Sequence, residues 1–376
     1  MELSSLRGLY ATPGPWASVC LDVSYDTPQA RDALKIRWKV VMRALDENGV
    51  DARNRNALEE EVISPDTFRR LDTQVEMDER PHRGLPGLAL FAAGGEVRYA
   101  EALPGVPRDE VAEVAALPHV TPLVVLRGEH VPWLRVIVNR TGADVQRPEN
   151  ESLEVQGTHT HHIRKTHGGG WSQEHLQRHA ELHWLHNAKE IADKASKLAE
   201  QLGVELLVIA GDVRARELVI DELPRKWRER VVPSDTGSRA PGADLSSLDE
   251  VTEQAVADQV AQRLADAKDR FLTNNGAGAA NGLRDVVDAF DQGKVAVLLL
   301  DPEVLAGAEV WLGPDISQLA LSAEDLRALG AQEPLRVRAD DALIRAAALT
   351  DAEVLVVSSA SLSLTDGVGA VVRYPG

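Results

Sequence analysis

From residue 159 the chain reads His159-Thr-His-His-Ile-Arg-Lys-Thr-His-Gly-Gly-Gly-Trp-Ser-Gln173, and Arg178 follows one turn later. Arg164, Lys165 and Arg178 are cations, and Glu174 is the only carboxylate between His159 and Arg178 in a chain of net charge -18. The stretch is therefore a local cationic patch on an acidic protein, and phosphate is its natural partner. Gly168, Gly169 and Gly170 have no Cβ, which lets the backbone approach a partner closely at an entropic cost. His161, His162, His167 and Trp171 present flat faces that stack on unpaired bases. Two plainer readings stand beside this one. The stretch could be a poorly ordered surface loop, or His175, His179 and His183, four residues apart on one helical face, could bind metal. The glutamate of a zinc helix is missing, since Leu176 and Ala180 follow the first two histidines, and no cysteine or carboxylate stands out as a third ligand. We expect neither metal nor cofactor.

Several elements must position this stretch. Eight of the eleven histidines fall between His159 and His186, so the chemistry sits on one loop and the helix after it. That helix is expected over residues 173–202 and ends at Gly203; Leu185, Ala188, Ile191, Ala192, Ala195, Leu198, Ala199 and Leu202 keep one face apolar. The run 204–210 is a buried strand, 222–230 a charged connection, 234–242 a turn-rich break and 248–271 a further helix. Upstream, 18–23 reads as a strand. Thr27-Pro28 opens a helix to residue 48, with Leu34, Trp38, Val41 and Leu45 on its core side. Short helices are expected over 57–62 and 65–73, a hairpin over 88–103 around Gly94-Gly95, and strands over 123–126 and 134–138, with 146–151 a polar stretch. After a small-residue linker, 274–281, a helix over 283–290 leads to the strand 295–300. Helices are expected from Ser322 and over 341–349, strands at 354–358 and 368–374.

At 376 residues, 44% hydrophobic and 27% charged, the chain can bury several cores, which excludes a disordered or collagen-like protein. We expect an α/β (α+β) multi-domain fold with three domains: an N-terminal α/β domain at 1–131, a middle domain with the Gly-rich loop at 132–272, and a C-terminal α/β/α sandwich at 273–376. Cys20 is the single cysteine, and the opening residues lack a basic cap and an apolar core, so a cytoplasmic protein is expected. No apolar run reaches membrane-spanning length. The negative charge excludes nucleic-acid coating through overall attraction.

The loop ending in Gln173, the long charged helix behind it and the strand Val204-Glu-Leu-Leu-Val-Ile-Ala-Gly211 resemble the middle domain of the archaeo-eukaryotic class 1 peptide release factor and Pelota family. Gly282-Leu-Arg-Asp-Val-Val-Asp-Ala-Phe-Asp-Gln-Gly-Lys-Val-Ala-Val-Leu-Leu-Leu-Asp301 and the ending from Gly367 to Tyr374 resemble that family's C-terminal domain. The overall pattern is most similar to its bacterial branch, which includes the ribosome hibernation factor Balon and relatives of the eukaryotic peptidyl-tRNA hydrolase that rescues stalled large subunits. The resemblance implies a ribosome-binding protein that occupies the vacant A site. Its contact loop would comprise His161, His162, Arg164, Lys165, His167, Gly168, Gly169, Gly170, Trp171, Ser172, Gln173 and Arg178, directed at the peptidyl-transferase centre and its rRNA. It also implies that the C-terminal domain meets elongation factor Tu. In release factors the loop is Gly-Gly-Gln, whose Gln helps to position the attacking water. Here Trp171 and Ser172 stand at the two glycine positions while Gln173 is kept, and the first domain lacks the Asn-Ile-Lys-Ser signature of stop-codon reading. A non-catalytic hibernation factor is therefore expected, with no catalytic residue assigned. The alternative is a peptidyl-tRNA hydrolase in which Gln173 orients water.

Overall fold

The computed structural model describes residues 3–23, 30–63, 87–103, 105–129, 131–139, 141–147, 152–156, 171–240, 242–273, 278–313 and 318–374. They form two compact units, one of residues 1–130 with 262–376 and one of 131–261.

In the first unit β1 (Trp16–Asp22) lies between β2 (Gly87–Ala93) and β4 (Val111–Ala115), and β3 (Glu96–Ala102) completes an antiparallel sheet of order β3-β2-β1-β4. Gly94 and Gly95 close the β2–β3 hairpin with φ of 65° and 85°, a two-residue turn for which glycine pairs are suited. Side chains alternate across β1. Ala17, Val19 and Leu21 pack under Leu34, Trp38, Val41 and Leu45 of α1 (Ala30–Glu47) and Leu58 of α2 (Ala52–Ile63). Trp16 and Cys20 face the other way, into a core shared with residues beyond 280.

The run 123–126, expected as a strand, is helical: α3 spans Thr121–Glu129. Thr121-Pro122 is the same opening signal as Thr27-Pro28, since a first helical turn needs no proline N–H. Val120, Leu123 and Val124 are fully buried at helical spacing. The expected helix at 65–73 lies outside the described residues.

The second unit is built on a five-stranded sheet of order β7-β6-β5-β8-β9. β5 (Trp133–Asn139), β8 (Leu206–Gly211) and β9 (Val231–Ser234) are parallel, while β6 (Gly142–Gln146) and β7 (Ser152–Gln156) fold back antiparallel. α4 (Trp171–Gln201) supplies the crossover between β5 and β8, and α5 (Val213–Glu222) and α6 (Arg225–Arg228) follow β8. Ala188, Ile191, Ala192, Ala195 and Ala199 of α4 join Ala215 and Val219 of α5 on one sheet face. Leu248 and Ala255 of α7 (Ser246–Leu272) cover the other.

The remainder of the first unit is a second α/β layer. β10 (Ala279–Asn281), β11 (Val295–Leu300), β15 (Glu353–Val356) and β16 (Val368–Val372) form a sheet of order β10-β16-β11-β15. Ala267 and Phe271, from the end of α7, pack on one face. α8 (Leu283–Asp291) and α11 (Ala339–Thr350) pack on the other, through Val286, Phe290, Leu343 and Ala347. Helices on both faces of a sheet make the α/β/α sandwich, and the chain as a whole is a mixed α/β fold. α9 (Pro302–Leu305), α10 (Ala323–Ala328) and a three-stranded sheet of β12 (Glu309–Leu312), β13 (Leu319–Ala320) and β14 (Leu335–Arg338) elaborate it. Among the described residues no helix is long and apolar enough to cross a membrane.

Candidate functional site

α4 begins where the loop expected to make contacts ends. Trp171, Ser172 and Gln173 form its first turn and Arg178 lies about two turns in; His161, His162, Arg164, Lys165, His167 and Gly168 to Gly170 lie outside the described residues, as do the side chains of residues 171–183. The helix is anchored by its later turns, through the apolar stripe from Ala188 to Ala199. Trp184, Asn187, Ala188 and Ile191 line a small cavity together with Asn139, at the carboxyl end of β5, and with Arg214 and Leu218 of α5. Between Trp171 and Ala188 there is about 25 Å of helix at 1.5 Å per residue. The positive end of the helix dipole, which favours negative charge, thus stands well away from the anchored turns.

The carboxyl ends of the parallel strands are held by a polar frame. Asn139 Oδ1 accepts from the backbone N–H of Thr141 (2.9 Å) and Gly142 (3.0 Å) and from Arg239 Nη1 (2.9 Å). Arg239 also donates to Asp144 Oδ1 at 2.9 Å. Gly211 ends β8 with φ of 108°, and a Cβ there would overlap the Val138 carbonyl oxygen, so the Ala-Gly ending of that strand answers a close approach of β5 to β8. On the other sheet face the buried Arg135 guanidinium pairs with Asp249 at 2.8 Å, donates to Thr252 Oγ1 at 2.9 Å and lies 5.1 Å from the Trp133 ring.

The metal reading of the histidine helix falls on side chains outside the described set. His186, within it, is exposed and lies 3.5 Å from Glu190 one turn on, an ordinary solvated helix pair.

Sequence reasoning missed a second polar cluster, buried in the first unit. His119, just before α3, donates from Nδ1 to both oxygens of Asp341 at 3.1 and 3.0 Å. Val120 N–H donates to Asp341 Oδ1 at 3.1 Å, and Thr121 Oγ1 donates to Asp340 Oδ2 at 3.0 Å. Arg338 grips Asp340 with two bonds of 3.1 and 2.8 Å and reaches Asp341 Oδ2 at 3.5 Å. Two helix N-termini, those of α3 and α11, thus share two carboxylates, an arrangement their dipoles favour. Burial pushes Asp341 up to about 6 against the opposing pull of His119. For His119, burial acts to lower the pKa, but the hydrogen bond and charge of Asp341 outweigh it and raise it above the ordinary histidine value. Among the described residues this is the one group of three His, Cys, Asp or Glu side chains close enough to cage a metal ion. Arg338 already supplies a cation to both carboxylates, so the cluster reads as an ion-paired joint. The one sequence signal was Asp340-Asp341 at a helix start, where acids are ordinary; His119 lies far from the histidine-rich stretch.

With this geometry established, comparison with known proteins shows that residues 132–277 match the model of bacterial archaeo-eukaryotic release factor family 2. Over 381 aligned residues the chain is 29% identical to two Mycobacterium tuberculosis proteins, Uncharacterized protein MT2704 of strain CDC 1551 / Oshkosh and Uncharacterized protein Rv2629 of strain ATCC 25618 / H37Rv, covering 100% of this chain and 97% of each relative. Among solved structures it is similar to Saccharomyces cerevisiae Dom34, a translation termination-like factor, at 12% identity over 77% of this chain and 80% of that one, with a TM-score of 0.40. It is also similar to a chain in a model of ribosome-bound archaeal Pelota and ABCE1, at 17% identity over 100% and 96% of the two chains, with a TM-score of 0.37. The archaeal translation termination factor aRF1 matches at 16% identity over 98% and 96%, with a TM-score of 0.24.

Proposed function

We propose that this chain is a release-factor-like, ribosome-binding protein that acts as a non-catalytic hibernation factor, occupying the vacant A site with the loop before α4 directed at the peptidyl-transferase centre. The observation that carries the reading is the match of residues 132–277 to a release-factor family model, because that segment contains the cationic loop and the long helix that follows it. In this reading Arg164, Lys165 and Arg178 meet rRNA phosphates, His161, His162, His167 and Trp171 lie against bases, and Gly168 to Gly170 let the backbone pass close by. Residues 1–131, 132–272 and 273–376 serve as three functional segments, the last of them meeting elongation factor Tu.

The same segment argues for binding without hydrolysis. Where release factors carry two glycines this chain has Trp171 and Ser172, and both are already in the first turn of α4. A helical backbone with a bulky indole does not supply the close approach that water positioning needs. Gln173 stands in the same turn and keeps the hydrolase reading open to test. The test is release of labelled peptide from P-site peptidyl-tRNA by wild type and by Gln173→Ala. Little release by either is expected; rapid release that disappears in the variant would establish the hydrolase instead.

A further inference from the structure

With Asp340 and Asp341 both ionised, the buried cluster of the first unit has balanced charge only when His119 carries a proton. In hydrogen-bond or ion-pair contact are two carboxylates, Asp340 and Asp341, with relative exposures of 2% and 1%, and two cationic groups, Arg338 and His119. The nearby thiol and phenol do not change that sum at neutral pH. Burial, with Asp341 nearby, pushes the Cys20 thiol of β1 up to about 12 and the Tyr10 phenol higher still, so both stay neutral. Arg345, further along α11, faces Tyr10. Glu113 of β4 acts on Arg338 and adds negative potential.

We propose that protonated His119 is a latch that holds residues 1–130 against residues 262–376, and that losing its proton loosens this joint. The contacts place it there: residues 119–121 belong to the first segment, α11 to the last, and 222 residues of sequence separate the two sides of the His119–Asp341 pair. A neutral imidazole can keep Nδ1–H on Asp341, so the geometry survives deprotonation. The charge balance does not, and one buried carboxylate is left without a counter-charge, which is costly in a dry interior.

The pH dependence follows from the two directions of shift. His119 has a folded-state pKa above its unfolded value, so its contribution to stability is full below the ordinary histidine value and is lost as pH rises through the folded one. Asp341, raised to about 6, also favours the folded state at low pH, and its share has gone once pH passes about 6. Above that pH the imidazole is the member of the pair still titrating.

Cys20 reports on the joint without an introduced probe. It is the only cysteine of the chain, is 0% exposed and sits in the core that α11 shares. The experiment measures labelling of Cys20 by dithionitrobenzoate in the full-length protein, divided at each pH by the rate in urea-unfolded protein, which cancels the thiolate fraction. Between about pH 6.5 and about pH 8.5 the ratio should rise by about tenfold for every unit that folding adds to the His119 pKa. His119→Gln should label faster at the lower pH and lose the rise. Asp341→Asn, which removes the demand for the proton, should flatten it. A wild-type ratio independent of pH, or the same rise in both variants, would overturn the latch. Should neither variant fold, NMR titration of the wild-type His119 imidazole, assigned through its backbone amide that donates to Ser18 Oγ, decides the matter: a pKa at or below the ordinary histidine value contradicts it.

Discussion

Arg164, Lys165 and Arg178 should act as phosphate contacts, and their replacement has a signature distinct from loss of packing. With all three changed to Ala, ribosome affinity should fall, and the slope of log affinity against log salt should flatten by about 2, at about 0.7 for each phosphate that a single strand of RNA no longer has neutralised. Trp171→Ala should cost about 1–3 kcal/mol of binding with the slope unchanged, as removal of a stacking ring does. Binding titrations at four salt concentrations separate the two effects. Burial decides which charges matter for stability. Arg338→Met leaves Asp340 and Asp341 in the core without their permanent cation and should destabilise by about 3–5 kcal/mol in urea unfolding. Arg43→Met breaks a pair whose side chains are 82% and 66% exposed and should change stability by less than about 0.5 kcal/mol. At this scale the loop stands out in the sequence because cations, glycines and aromatic rings crowd into a few adjacent positions. The His119 cluster was not, because its members are ordinary residues in their local contexts and meet only through tertiary packing.

At the scale of elements, the reading succeeded where a period was long enough to be unambiguous. α1, α4, α8 and α11 each show several apolar residues at helical spacing, and β1, β2, β8 and β11 are apolar runs of strand length. It failed where a short apolar run fits both periods, as at Leu123 to Leu126, and where strands of four or five residues, such as β4, β9 and β12, are only partly apolar and take their place from neighbours. α5 went unread because Asp212, whose carboxylate caps it by accepting from the Ala215 N–H at 3.1 Å, looks like an ordinary turn residue after Gly211. Two substitutions test how the unit carrying the loop is built. Ile191→Ala removes a side chain with 2% exposure from the face of α4 against the sheet and should destabilise by about 2–5 kcal/mol. Gly211→Ala should cost about 1–3 kcal/mol in backbone strain alone, because it combines a positive φ with overlap on the Val138 carbonyl. Urea midpoints with unchanged m-values check both.

At the scale of the whole molecule, composition foretold several cores, and the central sheets follow from the buried strands. That the first and last segments of the chain share one core had no sequence signal, since Trp16 and Cys20 on β1 look like half of any alternating strand. Net charge bears on partner choice. A protein at -18 repels RNA at long range, so in the proposed reading any binding is expected from the local patch at the loop before α4 and should weaken with salt. The central claim, a release-factor-like protein that binds vacant ribosomes through that loop, is tested most directly by cosedimentation of the full-length protein with purified vacant ribosomes at low salt, beside the Arg164/Lys165/Arg178→Ala variant. The wild type should pellet with ribosomes and be released as salt rises, while the variant stays largely in the supernatant. A wild type that remains soluble at low salt, or a variant that pellets as well as it does, would contradict the account.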